Sequence, residues 1–122
     1  GQVQLRINAL REHVQRQGQV MAELMEELKA EHACVGDVRA IGLLGCIELV
    51  RDRQTKEPLG PYVGSSPETA RLGAYLRERG VYTYIWRNLL HTNPPLTVTS
   101  EQLREVFTII NDALALMDEY AQ

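Results

Sequence analysis

Residues 35–50 read VGDVRAIGLLGCIELV, and this stretch decides the fold. Branched apolar side chains fall on both alternating faces, which predicts a buried strand or a bent pair of strands rather than a half-exposed edge. Gly42 and Gly45 permit a bend or a close backbone approach there. They do not form a phosphate-binding loop, because no helix start follows to receive an anion and residues 51–61 are a polar loop instead.

A long amphipathic helix is predicted before this stretch, from about Val3 to His32. Its apolar residues recur at spacings of three and four, which places them on one stripe that we expect to face the core. The stripe consists of Leu5, Ile7, Leu10, Val14, Met21, Leu24, Met25 and Leu28. Gly18 costs a helix about 1 kcal/mol relative to alanine, so a bend or break is expected near it. A helix lying on a membrane surface is the alternative, but the polar face lacks a basic excess.

Two later helices have clear start signals. Ser66, followed by a proline and an acid, is a typical N-cap, and Gly80 closes the segment, which predicts a helix over 67–79. A capping-box pattern opens at Thr99 and predicts a last helix that runs to about Glu119. Its apolar face consists of Leu103, Val106, Ile109, Ile110, Leu114 and Met117.

A hairpin is predicted between those two helices. Residues 81–86 are β-branched or aromatic, Arg87 and Asn88 are a turn, and residues 89–91 are the returning strand, which ends before Pro94. The order of elements is therefore helix, strand pair, helix, hairpin, helix. This order predicts an α+β fold in which a small antiparallel sheet is covered on one face by helices.

Length and composition favour one folded domain over residues 1–122, since 122 residues with 44% hydrophobic side chains can bury one core and not two. No apolar run approaches the roughly 18 residues that cross a bilayer, so we expect no membrane span. The net charge of −3 has no basic block, and nucleic acid is therefore not an expected partner. Cys34 and Cys46 form no disulfide framework, which fits a reducing cytoplasm.

A metal site is disfavoured. His32 lies two residues before Cys34, but a four-ligand zinc set needs more donors than this region has. Both cysteines are therefore interpreted as small apolar residues. No catalytic triad pattern occurs either, and paired carboxylates such as Glu26 and Glu27 fit a solvated helix face.

The chemically unusual residues lie in the predicted hairpin. Tyr82, Tyr84 and Trp86 are spaced two apart on a strand, so they share one face, with Arg87 and His91 close by. One interpretation, favoured by the pattern alone, is that these rings pack under the helices. The functional alternative is an aromatic wall with a cation at its end, which suits an organic carboxylate or an amine.

Four motifs resemble the C-terminal segment of class III pyridoxal-phosphate-dependent aminotransferases, which are fold type I enzymes. They are VGDVRAIGL at 35–43, IELVRDRQTKEP at 47–58, RGVY at 79–82 and NPPLTVTSEQL at 93–103. They occur in order and with compatible spacing over nearly the whole chain. The group of taurine–pyruvate and ω-amino-acid transaminases is the most similar. In such enzymes this segment is the small domain, packed on a large α/β domain.

The resemblance implies that the cofactor-binding lysine, aspartate and phosphate loops belong to the large domain. Neither Lys29 nor Lys56 matches the catalytic lysine, so no catalytic or cofactor-binding residue is assigned to this chain. Relatives bind the substrate carboxylate through a small-domain arginine at a position that corresponds here to His91 or, further upstream, to Tyr84. Arg87 lies between the two and is a candidate substitute. The candidate substrate-binding residues are Tyr84, Trp86, Arg87 and His91.

The resemblance predicts that this chain is the small domain of an aminotransferase that moves an amino group from an amine or ω-amino acid to a 2-oxo acid. The parent enzyme would use pyridoxal phosphate, while this chain alone would bind none and would be inactive. The expected partner is the large domain or a self-association partner. The alternative is a free-standing interaction or small-ligand-binding module derived from that domain, since exposed apolar surface usually finds a partner.

Overall fold

The computed structural model describes residues 1–60 and 66–121. The helices are α1 (Gln2–Glu31), α2 (Pro67–Glu78) and α3 (Ser100–Met117), and a short 3-10 helix follows at Asp118–Tyr120. The strands are β1 (Val35–Ile41), β2 (Leu44–Asp52), β3 (Glu57–Pro58), β4 (Tyr84–Trp86) and β5 (Leu89–Thr92). The predicted polar loop at 51–61 thus contains the end of β2 and all of β3. Pro61, its last residue, lies outside the described residues.

The strands form an antiparallel sheet in the order β1-β2-β5-β4, with β3 paired to β2 off this path. The stretch at 35–50 is the bent pair of strands, and it turns at Gly42, whose φ of 57° favours glycine. The helices cover one face of the sheet, where the buried side chains form one cluster. The α+β architecture predicted from the sequence is confirmed.

Start signals of the two later helices are confirmed in detail. The Ser66 side chain accepts a hydrogen bond from the Thr69 backbone N–H and begins α2. The Thr99 side chain accepts one from the Gln102 backbone N–H and begins α3. The buried face of α3 also contains Phe107, which the apolar stripe predicted from the sequence omitted.

Gly18 does not bend or break α1, so that prediction is wrong. The helix is continuous from Gln2 to Glu31, and Gly18 is buried against the β1–β2 turn. A Cβ atom added at Gly18 would lie 2.8 Å from the Gly42 carbonyl oxygen and 3.0 Å from the Gly42 Cα. Both contacts are to backbone, which cannot swing aside, so the glycine allows the helix to approach the turn closely.

We expect Gly18→Ala to destabilise the chain by about 1–2 kcal/mol, because the new methyl group overlaps backbone and the overlap outweighs the helix propensity gained. Gly73→Ala in α2 is the matched control. The nearest atom to a Cβ there is the flexible end of Arg77, at 3.1 Å. The measurement is urea denaturation followed by far-UV circular dichroism. The free energy of unfolding should be lower for Gly18→Ala than for the wild type, and for Gly73→Ala it should equal or exceed the wild-type value. Equal stabilities for the two variants would contradict the close-approach account.

The first turns of α1 correct a second prediction. Leu5, Ile7 and Leu10, expected to face the core, are exposed, with Leu5 at 69% of its full accessibility. The stripe first reaches the core at Val14, and beyond it Met21, Met25 and Leu28 are buried while Leu24 is half-buried. The apolar surface near the start of the helix is therefore not covered by any described residue.

His32 connects the end of α1 to the end of α3 through hydrogen bonds of its ring. Its buried ring places Nδ1 2.6 Å from the Asp118 carboxylate and Nε2 2.6 Å from Oδ1 of Asn111. The Asp118 carboxylate also accepts the Cys34 backbone N–H at 2.9 Å. A single carboxylate therefore joins the last helix to the start of the sheet. No helix of the described chain is long and apolar enough to cross a membrane.

Candidate functional site

The β4–β5 hairpin carries all four candidate substrate-binding residues. Tyr84 pairs with His91 and Trp86 pairs with Leu89 across the two strands, and the turn is Arg87 and Asn88. The predicted hairpin is therefore confirmed, although β4 begins at Tyr84 rather than at residue 81.

The strand register separates a buried face from an open face. On one face, Ile47 of β2 pairs with Leu90, and both side chains are fully buried under the helices. On the other face, Cys46 pairs with His91 and His91 pairs with Tyr84, so these three residues form a row away from the core. The Tyr84 and His91 rings lie 5.5 Å apart between centroids, with 33° between their planes.

The hairpin aromatics are exposed, so the interpretation that these rings pack under the helices is wrong. Tyr82 keeps 81% of its full accessibility, Tyr84 63% and Trp86 45%. Tyr82 precedes β4, whereas Tyr84 and Trp86 lie on the strand two residues apart and therefore share a face. Helix burial cannot explain the aromatic content of this hairpin.

The turn places a cation on an aromatic ring. The Arg87 guanidinium carbon lies 4.1 Å from the centroid of the Trp86 ring. At this distance the positive charge interacts favourably with the negative face of the indole. The Arg87 backbone has a φ of 61°, a conformation that favours glycine.

Asn88 anchors the turn to the sheet, a role that the sequence did not reveal. Its buried side-chain amide donates to the Leu49 carbonyl at 3.1 Å. The backbone carbonyl of Asn88 accepts a hydrogen bond from the Leu49 N–H at 2.8 Å. The Arg87 carbonyl oxygen lies 3.2 Å from a Cβ added at Gly60, so the turn also packs closely there. These contacts hold the hairpin tip in a defined position relative to β2.

A cleft of about 450 Å³ opens beside the start of the hairpin, between α3 and the two prolines that follow β5. Its lining includes Tyr82, Pro95, Val106 and Ile109. Among the described lining residues none is Tyr84, Trp86, Arg87 or His91. The four candidates therefore lie outside the described lining of this cleft, on the open face and at the tip of the hairpin.

Both lysines of the chain contact other polar groups. Lys56 Nζ donates to the Gly36 carbonyl at 2.6 Å, and Lys29 Nζ lies 3.4 Å from the Asp37 carboxylate. Covalent attachment of pyridoxal phosphate needs a free amine beside groups that hold the phosphate and the pyridine nitrogen. Lys56 follows β2 and Lys29 lies on α1, so neither belongs to the β4–β5 hairpin.

The two cysteine thiols lie in different surroundings. Burial, and then the neighbouring Asp118 carboxylate, raise the pKa of Cys34 well above its usual range. Its thiol therefore stays protonated, and it donates to the Leu114 carbonyl at 3.5 Å. Burial also raises the pKa of Cys46, which lies beside His91 in the open row. Among the described residues no group of three or more metal-ligating side chains converges.

Comparison with solved structures identifies the architecture as one found in transaminases. Taurine:2-oxoglutarate aminotransferase from Bifidobacterium kashiwanohense superposes with a TM-score of 0.86 at 28% identity, over 92% of this chain and 25% of that chain. That structure contains pyridoxal phosphate and glutamate. The α+β unit seen here therefore matches the small domain of fold type I aminotransferases.

Sequence comparison gives the family. The profile of class-III aminotransferases matches residues 4–114, and this chain belongs to that family. Taurine–pyruvate aminotransferase from Bilophila wadsworthia is 30% identical over 90% of this chain. An ethanolamine-phosphate phospho-lyase homolog from Caenorhabditis elegans is 32% identical over 89% of it. The chain spans 25% and 23% of the lengths of these two relatives.

Proposed function

We propose that this chain is the small domain of a pyridoxal-phosphate-dependent aminotransferase that moves an amino group from an amine or ω-amino acid to a 2-oxo acid. The observation that supports this proposal is the family match over residues 4–114. The chain also spans about a quarter of the length of its relatives, as a single domain of them would. In the complete enzyme the large domain supplies the cofactor and its lysine. This chain supplies no catalytic residue.

The open face of the β4–β5 hairpin is proposed as one wall of the substrate pocket. The neighbouring Tyr84 and His91 rings present a flat aromatic surface that excludes water from a bound substrate. Trp86 and Arg87 extend this wall towards the hairpin tip, where a charge is available. The Asn88 anchor supports this role, because a pocket wall has to stay in one position relative to the rest of the enzyme.

We expect the 122-residue chain to bind no pyridoxal phosphate stably, because Lys29 and Lys56 are engaged elsewhere. The measurement is visible absorbance after incubation with pyridoxal phosphate and exhaustive dialysis. The expected result is a spectrum without the band of lysine-bound cofactor and no amino transfer to pyruvate. A band that survives dialysis and disappears in Lys29→Arg or Lys56→Arg would overturn the assignment of the cofactor to the large domain.

The exposed apolar residues at the start of α1 favour a partner. Val3, Leu5, Ile7 and Leu10 are all exposed on a helix whose later stripe is buried. Val3, Ile7 and Leu10 are spaced four and three apart, so they share one face of the helix. Exposed apolar side chains grouped in this way mark surfaces that another protein element covers. The large domain is the proposed partner, and a second copy of a free-standing module is the alternative. The proposed compartment is the cytoplasm, which free Cys34 and Cys46 support.

Light scattering separates these two partners. If the large domain is the natural partner, the isolated chain associates weakly and Ile7→Glu makes it monomeric without changing its fold. A tight dimer at low micromolar concentration, unaffected by Ile7→Glu, would instead favour an interaction module that pairs through another surface.

A further inference from the structure

A thiol and an imidazole lie opposite each other across strands β2 and β5. Cys46 pairs with His91, and both side chains are half-buried on the open face of the sheet. The next pair along the strands, Ile47 and Leu90, is fully buried under the helices, so Cys46 and His91 point the other way. Thiolate sulfur and imidazole nitrogen are the donors that zinc binds most often in proteins.

The type of strand pair brings the two side chains close together. The Leu49 N–H donates to the Asn88 carbonyl at 2.8 Å, so these two residues are a hydrogen-bonded pair. Hydrogen-bonded and non-hydrogen-bonded pairs alternate along an antiparallel ladder, which makes Cys46 and His91 a non-hydrogen-bonded pair. The Cβ atoms of directly opposite residues are about 4.5–5.5 Å apart, and they are closer in pairs of this type. Bonds from zinc to sulfur and to nitrogen are about 2.3 Å and 2.0 Å long, so one cation above the pair can reach both donors.

Both donors are available for a ligand. Within the described ranges, the hydrogen bonds of histidine rings and thiols involve His13, His32 and Cys34, and none involves the Cys46 thiol or the His91 ring.

The surroundings of the pair do not oppose a bound cation. The charged groups that act on the Cys46 thiol are Arg39 and Glu48, which have opposite signs. Beyond His91 in the row, the Tyr84 ring lies 5.5 Å from the imidazole between centroids, on the side away from Cys46. The space above the thiol and the imidazole is therefore bordered by groups with no net charge.

We propose that Cys46 and His91 together chelate one thiophilic divalent cation, zinc or cadmium, with water in the remaining coordination positions. On binding, the Sγ–H bond of Cys46 breaks, its proton passes to solvent, and a sulfur–metal bond forms. The imidazole of His91 binds as the neutral ring through one nitrogen. Two waters leave the hydrated cation, and no group is oxidised or reduced. A bound cation covers the row that contains His91 and Tyr84, so zinc inhibits the complete enzyme, a consequence that rests on the proposed function.

Cadmium chloride is the probe, because a cadmium–thiolate bond gives an ultraviolet charge-transfer band. Titration into the reduced, metal-free 122-residue chain should give a band that saturates at one cadmium per chain. Zinc should displace the cadmium, whereas magnesium, which prefers oxygen ligands, should not. His91→Gln should raise the half-saturation concentration at least tenfold, because the second donor is lost. His13→Gln is the matched control on α1, where the ring contacts the Val98 carbonyl, and it should leave the value unchanged.

A sulfur variant and a measurement on the wild type complete the test. Cys46→Ser keeps only the buried Cys34 thiol and should show no band. In nuclear magnetic resonance of the wild type, zinc should shift the ring proton signals of His91 and leave those of His13 and His32 in place.

Three results would each overturn the proposal. They are the absence of a saturable band in the wild type, equal half-saturation in the wild type and His91→Gln, and His91 ring signals that do not respond to zinc. A band that persists in Cys46→Ser would also contradict it, since the thiolate would then belong to Cys34. The titration needs no cofactor, so such a failure leaves the aminotransferase assignment to the absorbance experiment with pyridoxal phosphate.

Discussion

Replacement of His32 by alanine is expected to lower the free energy of unfolding by about 3 kcal/mol. The buried ring contacts Asp118 and Asn111 at 2.6 Å each, so its removal leaves two polar partners without their hydrogen bonds. It also leaves a cavity between the ends of α1 and α3. Urea denaturation followed by circular dichroism measures the loss directly, provided that the transition is two-state.

His32→Gln is the matched variant, since its amide can still donate to the Asp118 carboxylate. It should recover part of the stability that His32→Ala loses. Glu27→Ala on the exposed side of the same helix should change stability by less than about 0.5 kcal/mol. A His32→Ala variant within that range of the wild type would show that the two helix ends are held together by other contacts.

Gly45→Val is expected to destabilise the chain by about 3 kcal/mol or more, or to prevent folding. A Cβ atom at Gly45 would lie 2.2 Å from Thr92 Oγ1, 3.0 Å from the Met21 terminal methyl and 3.2 Å from the Met25 sulfur. The two methionine ends are flexible, but Thr92 is β-branched and buried, so it has little freedom to move. Ala40→Val, at the exposed residue paired with Gly45, is the control and should be nearly neutral.

A double variant tests the stated cause of that effect. Gly45→Ala combined with Thr92→Ala removes the Oγ1 atom that the new methyl group meets. The double variant should be at least about 1 kcal/mol more stable than the sum of the two single effects implies. If the stability loss of the double variant equals the sum of the losses in the two single variants, the new methyl group clashes with Met21 or Met25 instead.

The helices and strands could be predicted well because the sequence signals for them involve residues that are close together in the chain. The caps at Ser66 and Thr99 satisfy backbone N–H groups within one helical turn, so they can be recognised from neighbouring residues. The wrong prediction at Gly18 has a different origin. Its partner is the Gly42 carbonyl on another element, and helix propensity contains no information about such a contact.

The hairpin that carries the candidate residues could be predicted from the sequence, but the arrangement of its side chains could not. Spacing placed Tyr84 and Trp86 on one strand face, but whether that face is buried depends on which side the helices pack. The Arg87 contact with the indole joins adjacent residues, yet it depends on a positive φ that the sequence does not indicate for an arginine. In the sequence Asn88 looks like an ordinary turn residue, because its buried hydrogen bond to the Leu49 carbonyl is made to a distant part of the chain.

The central proposal, that this chain serves as the small domain of a class III aminotransferase, is tested most directly by a hybrid enzyme. Residues 4–114 replace the aligned segment of the taurine–pyruvate aminotransferase from Bilophila wadsworthia. The measurement is amino transfer to pyruvate from taurine, β-alanine and propylamine, with cofactor content determined by absorbance. We predict a hybrid that retains pyridoxal phosphate and transfers the amino group from at least one donor. A hybrid that folds and holds the cofactor, yet transfers no amino group from any of the three, would contradict the proposal.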